Sequence, residues 1–218
     1  EYADPFLKWF IAQDAVNQGA AAILMSESKA DALGVPQENR VYLHGGGEAG
    51  DDHISVRPML DGSWAMQQAL DRALDQAGVT SSDIKHFDLY SCFPCAVFAS
   101  TAALGLVLAN GGWMTKEAAG VYSTTKPKGF TPAAPAAKAT EQVVLCAVNC
   151  DATLETFTVT HGKAGPENGI IFARLADGRR ALARATPDAL AVLREDASPV
   201  GRKVKITVDG EVGTFDFA

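Results

Sequence analysis

Between Lys126 and Thr140 the sequence changes character, and that change limits what the chain can fold into more than any other feature. Pro127, Pro132 and Pro135 stand there among alanines and lysines, a composition that makes linkers rather than buried elements. Before it, apolar runs alternate with segments of helical period; after it come short β-rich runs. The chain therefore reads as an α/β layered region over residues 1–125, a linker over 126–140, and a small β-barrel over 141–218. With 218 residues, 47% hydrophobic and 21% charged, it is long and apolar enough to bury a sizeable core.

In the first part, Ala20 to Met25 reads as a buried strand, followed by a short helix that Gly34 closes with Pro36 beyond it. Val41 to Leu43 reads as another strand, and His44-Gly45-Gly46-Gly47 follows it. That motif matches the oxyanion hole of lipase-like hydrolases, but such a site needs a G-x-S-x-G turn downstream, which this sequence lacks. The glycines are read instead as permitting a sharp turn. Asp51, Asp52 and His53 are adjacent rather than spaced for one helical face, and read as a solvated loop. Met66, Leu70, Ala73, Leu74 and Ala77 recur at helical spacing until Gly78, predicting an amphipathic helix from about Ser63. Thr80 and Asp83 then have the spacing of a capping box.

Chemistry is sought first in His86 to Phe98. Phe87 to Leu89 reads as a strand, Tyr90, Ser91 and Cys92 as a tight turn, and the residues from Phe93 as a helix. Three polar side chains at a helix N-terminus would favour a developing negative charge, such as an enolate oxygen or a thiolate. The plainer alternative is a strand-to-helix junction in which Ser91 is only the N-cap. Leu106 to Leu108 and Gly120 to Tyr122 read as further strands, with Asn110-Gly111-Gly112 as a glycine turn between them.

After the linker, Val143–Val148, Leu154–His161, Gly169–Leu175, Arg180–Ala185, Lys203–Val208 and Gly213–Phe217 read as strands. Asp177-Gly178 and Asp209-Gly210 mark hairpins, and only Pro187 to Glu195 looks helical. This pattern fits a barrel of the oligonucleotide/oligosaccharide-binding type.

A formal charge of -7, with no basic run longer than a pair, argues against a nucleic-acid partner. No apolar stretch approaches the ~20 residues of a membrane span, and the cytoplasm is the expected compartment. Four cysteines are too few for a disulfide framework. Cys92 and Cys95 have C-x-x-C spacing, open to redox chemistry, and with Cys146 and Cys150 could make a zinc site. Inert packed thiols are the favoured reading of Cys146 and Cys150, and no metal is assigned.

The order VNQGAAAILMSESKADALGV, DDHISVRPML, SWAMQQALDRALDQAGVTSSDIKHFDLYSCF and LVLANGGWMTKEAAGVYST resembles the C-terminal half of a thiolase-superfamily protein. It is most like the type 1 thiolase-like proteins that carry an extra C-terminal domain, which the β-rich segment with GIIFARLADGRRALA resembles. The resemblance implies a coenzyme A thioester as substrate, no separate cofactor, and a homodimer or a partner subunit. Tyr90-Ser91-Cys92-Phe93 falls where thiolases carry N-E-A-F or H-D-C-F, so Tyr90, Ser91 and Cys92 are the candidate catalytic residues. A tyrosine there is similar to the thiolase-fold aldolases that shorten steroid side chains. Asn110, Gly111 and Gly112 fall on the loop that bears the thiolase acid/base cysteine, here absent, and are candidates for lining the substrate pocket. The family's nucleophilic cysteine lies in the N-terminal half of its fold and has no counterpart here. The family's histidine-bearing glycine segment is also missing near residues 105–106, where several dozen residues are expected. The resemblance thus implies an acyl-CoA acyltransferase or retro-aldol lyase whose nucleophile lies outside this chain. The alternative is a non-catalytic acyl-CoA-binding or interaction subunit.

Overall fold

The computed structural model describes residues 6–13, 15–90, 94–95, 97, 107–111, 116–131, 142–196, 198–210 and 212–218, except the side chains of Trp9 and 107–111. The chain divides into two compact units. One is built from Glu1–Ile11, Asp52–Leu60 and Thr140–Ala218, the other from Ala12–Asp51 and Asp61–Ala139. The barrel unit therefore draws on two segments that precede the linker.

The second unit is an antiparallel sheet with a helix on one face. Its strands β1 (Tyr42–Gly50), β2 (Val107–Gly111) and β3 (Lys116–Ser123) lie in the order β1-β3-β2. Helix α1 (Glu27–Ala32) begins where the Ser26 side chain accepts from the Lys29 N–H, and Gly34 beyond it takes a φ of 66°. Helix α2 (Trp64–Ala77) starts where the Ser63 hydroxyl accepts from the Met66 N–H at 3.2 Å. It stops at Gly78, whose left-handed φ of 67° only glycine adopts without strain. The predicted capping box at Thr80 and Asp83 is present. Ala65, Met66, Ala69, Leu70 and Ala73 form the buried face of α2, packed with Ala49, Ala119 and Val121 of the sheet.

The glycines after His44 do not turn the chain; they lie within β1, and their role is close packing. A Cβ on Gly45 would stand 2.0 Å from the Ala73 carbonyl oxygen, and one on Gly47 2.1 Å from that of Ala69. Only glycine lets the α2 backbone come so near the strand. Ala20 to Met25 forms no strand either: Ile23 and Leu24 are 85% and 94% exposed. An apolar run becomes a strand only where a neighbour accepts its backbone hydrogen bonds, and no described strand pairs with this one.

The other unit contains a closed five-stranded barrel. Strands β5 (Cys150–Gly162), β6 (Gly165–Arg174), β7 (Arg180–Ala185), β9 (Gly213–Phe217) and β8 (Lys203–Val208) follow one another round the ring, and β8 pairs back onto β5. Within the ring only the β7–β9 seam is parallel; outside it, β4 (Leu145–Cys146) adds in parallel to the edge of β7, the part of Val143–Val148 that forms a strand. Register shifts after Leu154 and Thr160 let the long β5 bend between its two partners. Helix α3 (Pro187–Glu195) has Thr186 as N-cap and Pro187 in its first turn, and buries Ala189 and Leu193. This chain order, with a helix between the third and fourth ring strands, is the oligonucleotide/oligosaccharide-binding arrangement. Leu154, Val159, Ile171, Ala183, Val204, Ile206 and Phe215 fill the interior.

Arg180 ties an early segment to this barrel. It is fully buried, and its Nε and Nη2 donate to the two Glu155 carboxylate oxygens at 2.7 and 2.9 Å. Its Nη1 donates to the carbonyls of Ser55 and Arg57 at 2.7 and 2.9 Å, and the Val143 N–H donates to the Val56 carbonyl at 2.8 Å. Arg174 also pairs with Glu155. Burial would raise the Glu155 pKa, but hydrogen bonds from Arg180 and Arg174 outweigh it and hold the carboxyl below the usual range. A pKa depressed on folding contributes stability that is complete above the unfolded value, about 4.3, and is lost as pH falls through the folded value. The barrel transition should therefore weaken on acidification below about pH 4.3, and Glu155→Gln should flatten that slope in denaturant titrations across pH.

Candidate functional site

Leu89 and Tyr90 show how the central junction is placed. Leu89 packs against the α2–sheet core, whereas Tyr90, the next residue, is 48% exposed. Leu89 thus points inward as an anchor, and Tyr90 is presented to solvent. Phe87 to Leu89 is not a ladder-forming strand; only Leu89 makes an isolated bridge, and Phe87 is 48% exposed. Its apolar residues anchor a coil rather than complete the sheet. Pro94, Cys95 and Val97 are helical, while Ser91, Cys92 and Phe93 lie outside the described residues.

Asn110 and Gly111 lie in β2 rather than in a turn, opposite Glu117 and Lys116 of β3. The ladder continues through them because β3 supplies partners on that side; Gly112 lies outside the described residues. Glu117, which the sequence reading did not single out, is only 2% exposed. The signal was available: Glu117 is in phase with the inward-facing Ala119 and Val121 at period two. The structure thus describes Tyr90, the backbone of Asn110 and Gly111, and a buried carboxylate in register with Asn110. An exposed phenol of this kind can donate to an oxyanion or exchange a proton.

The acidic pair after β1 is not a solvated loop. Asp51 and Asp52 are 7% and 5% exposed. Ser63, the α2 N-cap, donates to Asp51 at 3.2 Å, and Gln142 donates to Asp52 at 2.8 Å. Both carboxylates are spent on fastening loops, and His53 accepts from the Ser55 N–H to start the turn Ile54–Val56. Among the described residues no three His, Cys, Asp or Glu side chains are grouped to hold a metal ion. Cys146 and Cys150 pack against the barrel core, and burial, then the neighbouring Cys146, pushes the Cys150 thiol up, away from a reactive thiolate. Among the described residues no helix is long and apolar enough to cross a membrane.

A cleft of about 360 Å³ in the second unit is walled by Met25, Val35, Tyr42 and Phe130. Its two cations are already neutralised: Arg40 pairs with Asp31 at 2.7 Å and Lys126 with Glu27 at 2.5 Å. It is an apolar recess rather than an anion site.

An open sheet with a packed helix in one unit and a five-stranded barrel in the other define the class, an α/β protein with an added β-barrel. Residues 132–211 match the family described as the thiolase-like protein type 1 additional C-terminal domain. The whole chain superposes on the crystal structure of a monomeric SCP2-thiolase like protein type 1 from Mycobacterium smegmatis with a TM-score of 0.87 and 28% identity. The match covers 100% of this chain and 60% of that one, so this chain spans about three fifths of that relative's length. No curated protein matches the sequence significantly. Residues 132–211 thus carry the additional C-terminal domain of type 1 thiolase-like proteins, and the chain as a whole is similar in fold to one such protein.

Proposed function

We propose that this protein processes acyl-CoA thioesters, as an acyltransferase or a retro-aldol lyase, with a nucleophile that residues 1–218 do not supply. The observation that carries this reading is the likeness to the SCP2-thiolase like protein over the full chain. Tyr90, held by its Leu89 anchor with the phenol exposed, is the acid/base or oxyanion donor of the reading, and the Asn110–Gly111 end of β2 borders the substrate. The added barrel is read as a support rather than a reader of nucleic acid, given the net charge of -7.

Tyr90→Phe keeps the ring and removes only the hydroxyl, so stability should change by no more than about 1 kcal/mol. Turnover of β-hydroxyacyl- or β-ketoacyl-CoA esters by the complete protein should fall ~100-fold, which is roughly 3 kcal/mol of barrier. Cys92→Ala is the control and should keep near-wild-type turnover. The opposite pattern, an active Tyr90→Phe and an inactive Cys92→Ala, would move the chemistry from the phenol to the thiol. A protein that binds acyl-CoA but turns none over in any form would favour the non-catalytic binding subunit, a reading that the extended ladder at Asn110 and Gly111 also fits.

A further inference from the structure

A second cleft, of about 630 Å³, opens in the same unit as α2, and its chemistry differs from that of the apolar recess. Val79, Ile84 and Val121 contribute apolar wall, and Lys85 and His86 stand on its rim, both exposed. Neither Lys85 nor His86 makes an ion pair or hydrogen bond among the described residues. The one carboxylate in the lining, Asp83, is taken by the Thr80 N–H at 2.8 Å and the Thr80 hydroxyl at 2.9 Å. Across the cleft runs Ser123-Thr124-Thr125. Ser123 accepts from the Thr125 N–H at 3.1 Å and so keeps its hydroxyl proton to donate. The Thr125 carbonyl is engaged by His44 Nε2 at 2.7 Å, which fixes this hydroxyl run in place.

A lysine ammonium and an imidazole N–H, neither of them engaged by another side chain, together with three hydroxyls suit an anion that accepts several hydrogen bonds at once. A bare phosphate would fill little of this volume, which lies within the size range of small-molecule sites. Beside the hydroxyls, the Tyr122 ring lies over Gly120, where a Cβ would come within 2.7 Å of it, and Tyr122 is 56% exposed. A flat exposed ring is a stacking platform for a base. We propose that this cleft binds a phosphomonoester of nucleoside size, with its phosphate between Lys85, His86 and the Ser123–Thr125 hydroxyls and its base on Tyr122. The proposal does not depend on the acyl-CoA reading, because Tyr90, Asn110 and Gly111 are absent from the cleft lining.

The test is an NMR titration of the full chain with adenosine monophosphate, inorganic phosphate and adenosine in parallel. Adenosine monophosphate should saturate, shifting the amides of Lys85, His86 and Ser123–Thr125, and should bind at least about tenfold more tightly than phosphate or adenosine alone. Lys85→Ala combined with His86→Ala should weaken it about tenfold or more, with the rest of the spectrum unchanged because both side chains are exposed. Tyr122→Leu should weaken adenosine monophosphate while leaving the weak response to inorganic phosphate as it was. Absence of saturation at millimolar ligand, shifts confined to another surface, phosphate binding as tightly as the nucleotide, or an unaffected double variant would each overturn the proposal.

Discussion

Arg180→Met should destabilise the barrel unit by about 3–5 kcal/mol. The replacement keeps an unbranched apolar stem in the space where the guanidinium now stands 5.5 Å from the Phe172 ring centre, so the loss is not chiefly one of packing. What is lost is a set of four donated hydrogen bonds: two to Glu155, and one each to the Ser55 and Arg57 carbonyls. Glu155 would keep only Arg174, and the two carbonyls would lose a charged donor in a site with little access to water. Arg180→Lys should rescue only part of this, because one ammonium cannot meet a carboxylate edge-on and reach both carbonyls. Chemical denaturation followed by hydrogen exchange at β5–β7 amides would resolve the effect. A loss under about 1 kcal/mol would mean that the cluster behaves as a surface ion pair and does not hold residues 52–60.

Gly47→Ala and Gly45→Ala should each cost about 3 kcal/mol or more in the unit that contains α2, near the upper end for overpacked cores. The added methyl would meet helix backbone, at 2.1 and 2.0 Å, and a carbonyl cannot swing aside as a side-chain tip can. The sheet and the helix would have to separate, loosening Met66 and Leu70, both essentially fully buried. Gly46 is the internal control. Its nearest contact for a Cβ is 3.9 Å away, and its N–H, which donates to Gln76 at 2.7 Å, survives the change. Gly46→Ala should therefore lie within about 0.5 kcal/mol of wild type. Equal costs at the three positions would show that the glycines serve backbone flexibility and not close packing.

These two sites also mark where the sequence was legible and where it was not. Arg180–Ala185, Pro187–Glu195, Lys203–Val208 and Gly213–Phe217 have the same bounds in the sequence reading and in the structure. Local signals decide such elements: strand alternation, an N-cap followed by proline, and Asp-Gly turns whose Gly178 and Gly210 have φ of 86° and 97°. The role of Arg180 was not legible, because it reads as the charged first residue of a strand after an Asp-Gly turn and its carbonyl partners lie more than a hundred residues earlier. The same holds for Gly45 and Gly47, whose need for glycine arises from a helix that begins well downstream. Ala20 to Met25 was misread because its composition is that of a strand while its pairing depends on what stands beside it. At the candidate site, the residue pattern marked Tyr90, Ser91 and Cys92 together as a polar turn and the resemblance implied the role of Tyr90, whereas the inward phase of Glu117 could have been read from β3 alone.

Tyr90 and the Asn110–Gly111 end of β2 are the proposed place where an acyl thioester is handled. The most direct test is titration of the full chain with an acyl-pantetheine in which a thioether replaces the thioester, followed by amide chemical shifts. This probe carries no nucleotide and so does not report on the cleft beside Tyr122. Saturable shifts at Tyr90, Asn110 and Gly111 are expected, with weaker binding in Tyr90→Phe. Saturable binding that leaves those amides unmoved, or no binding at millimolar analogue, would contradict that assignment.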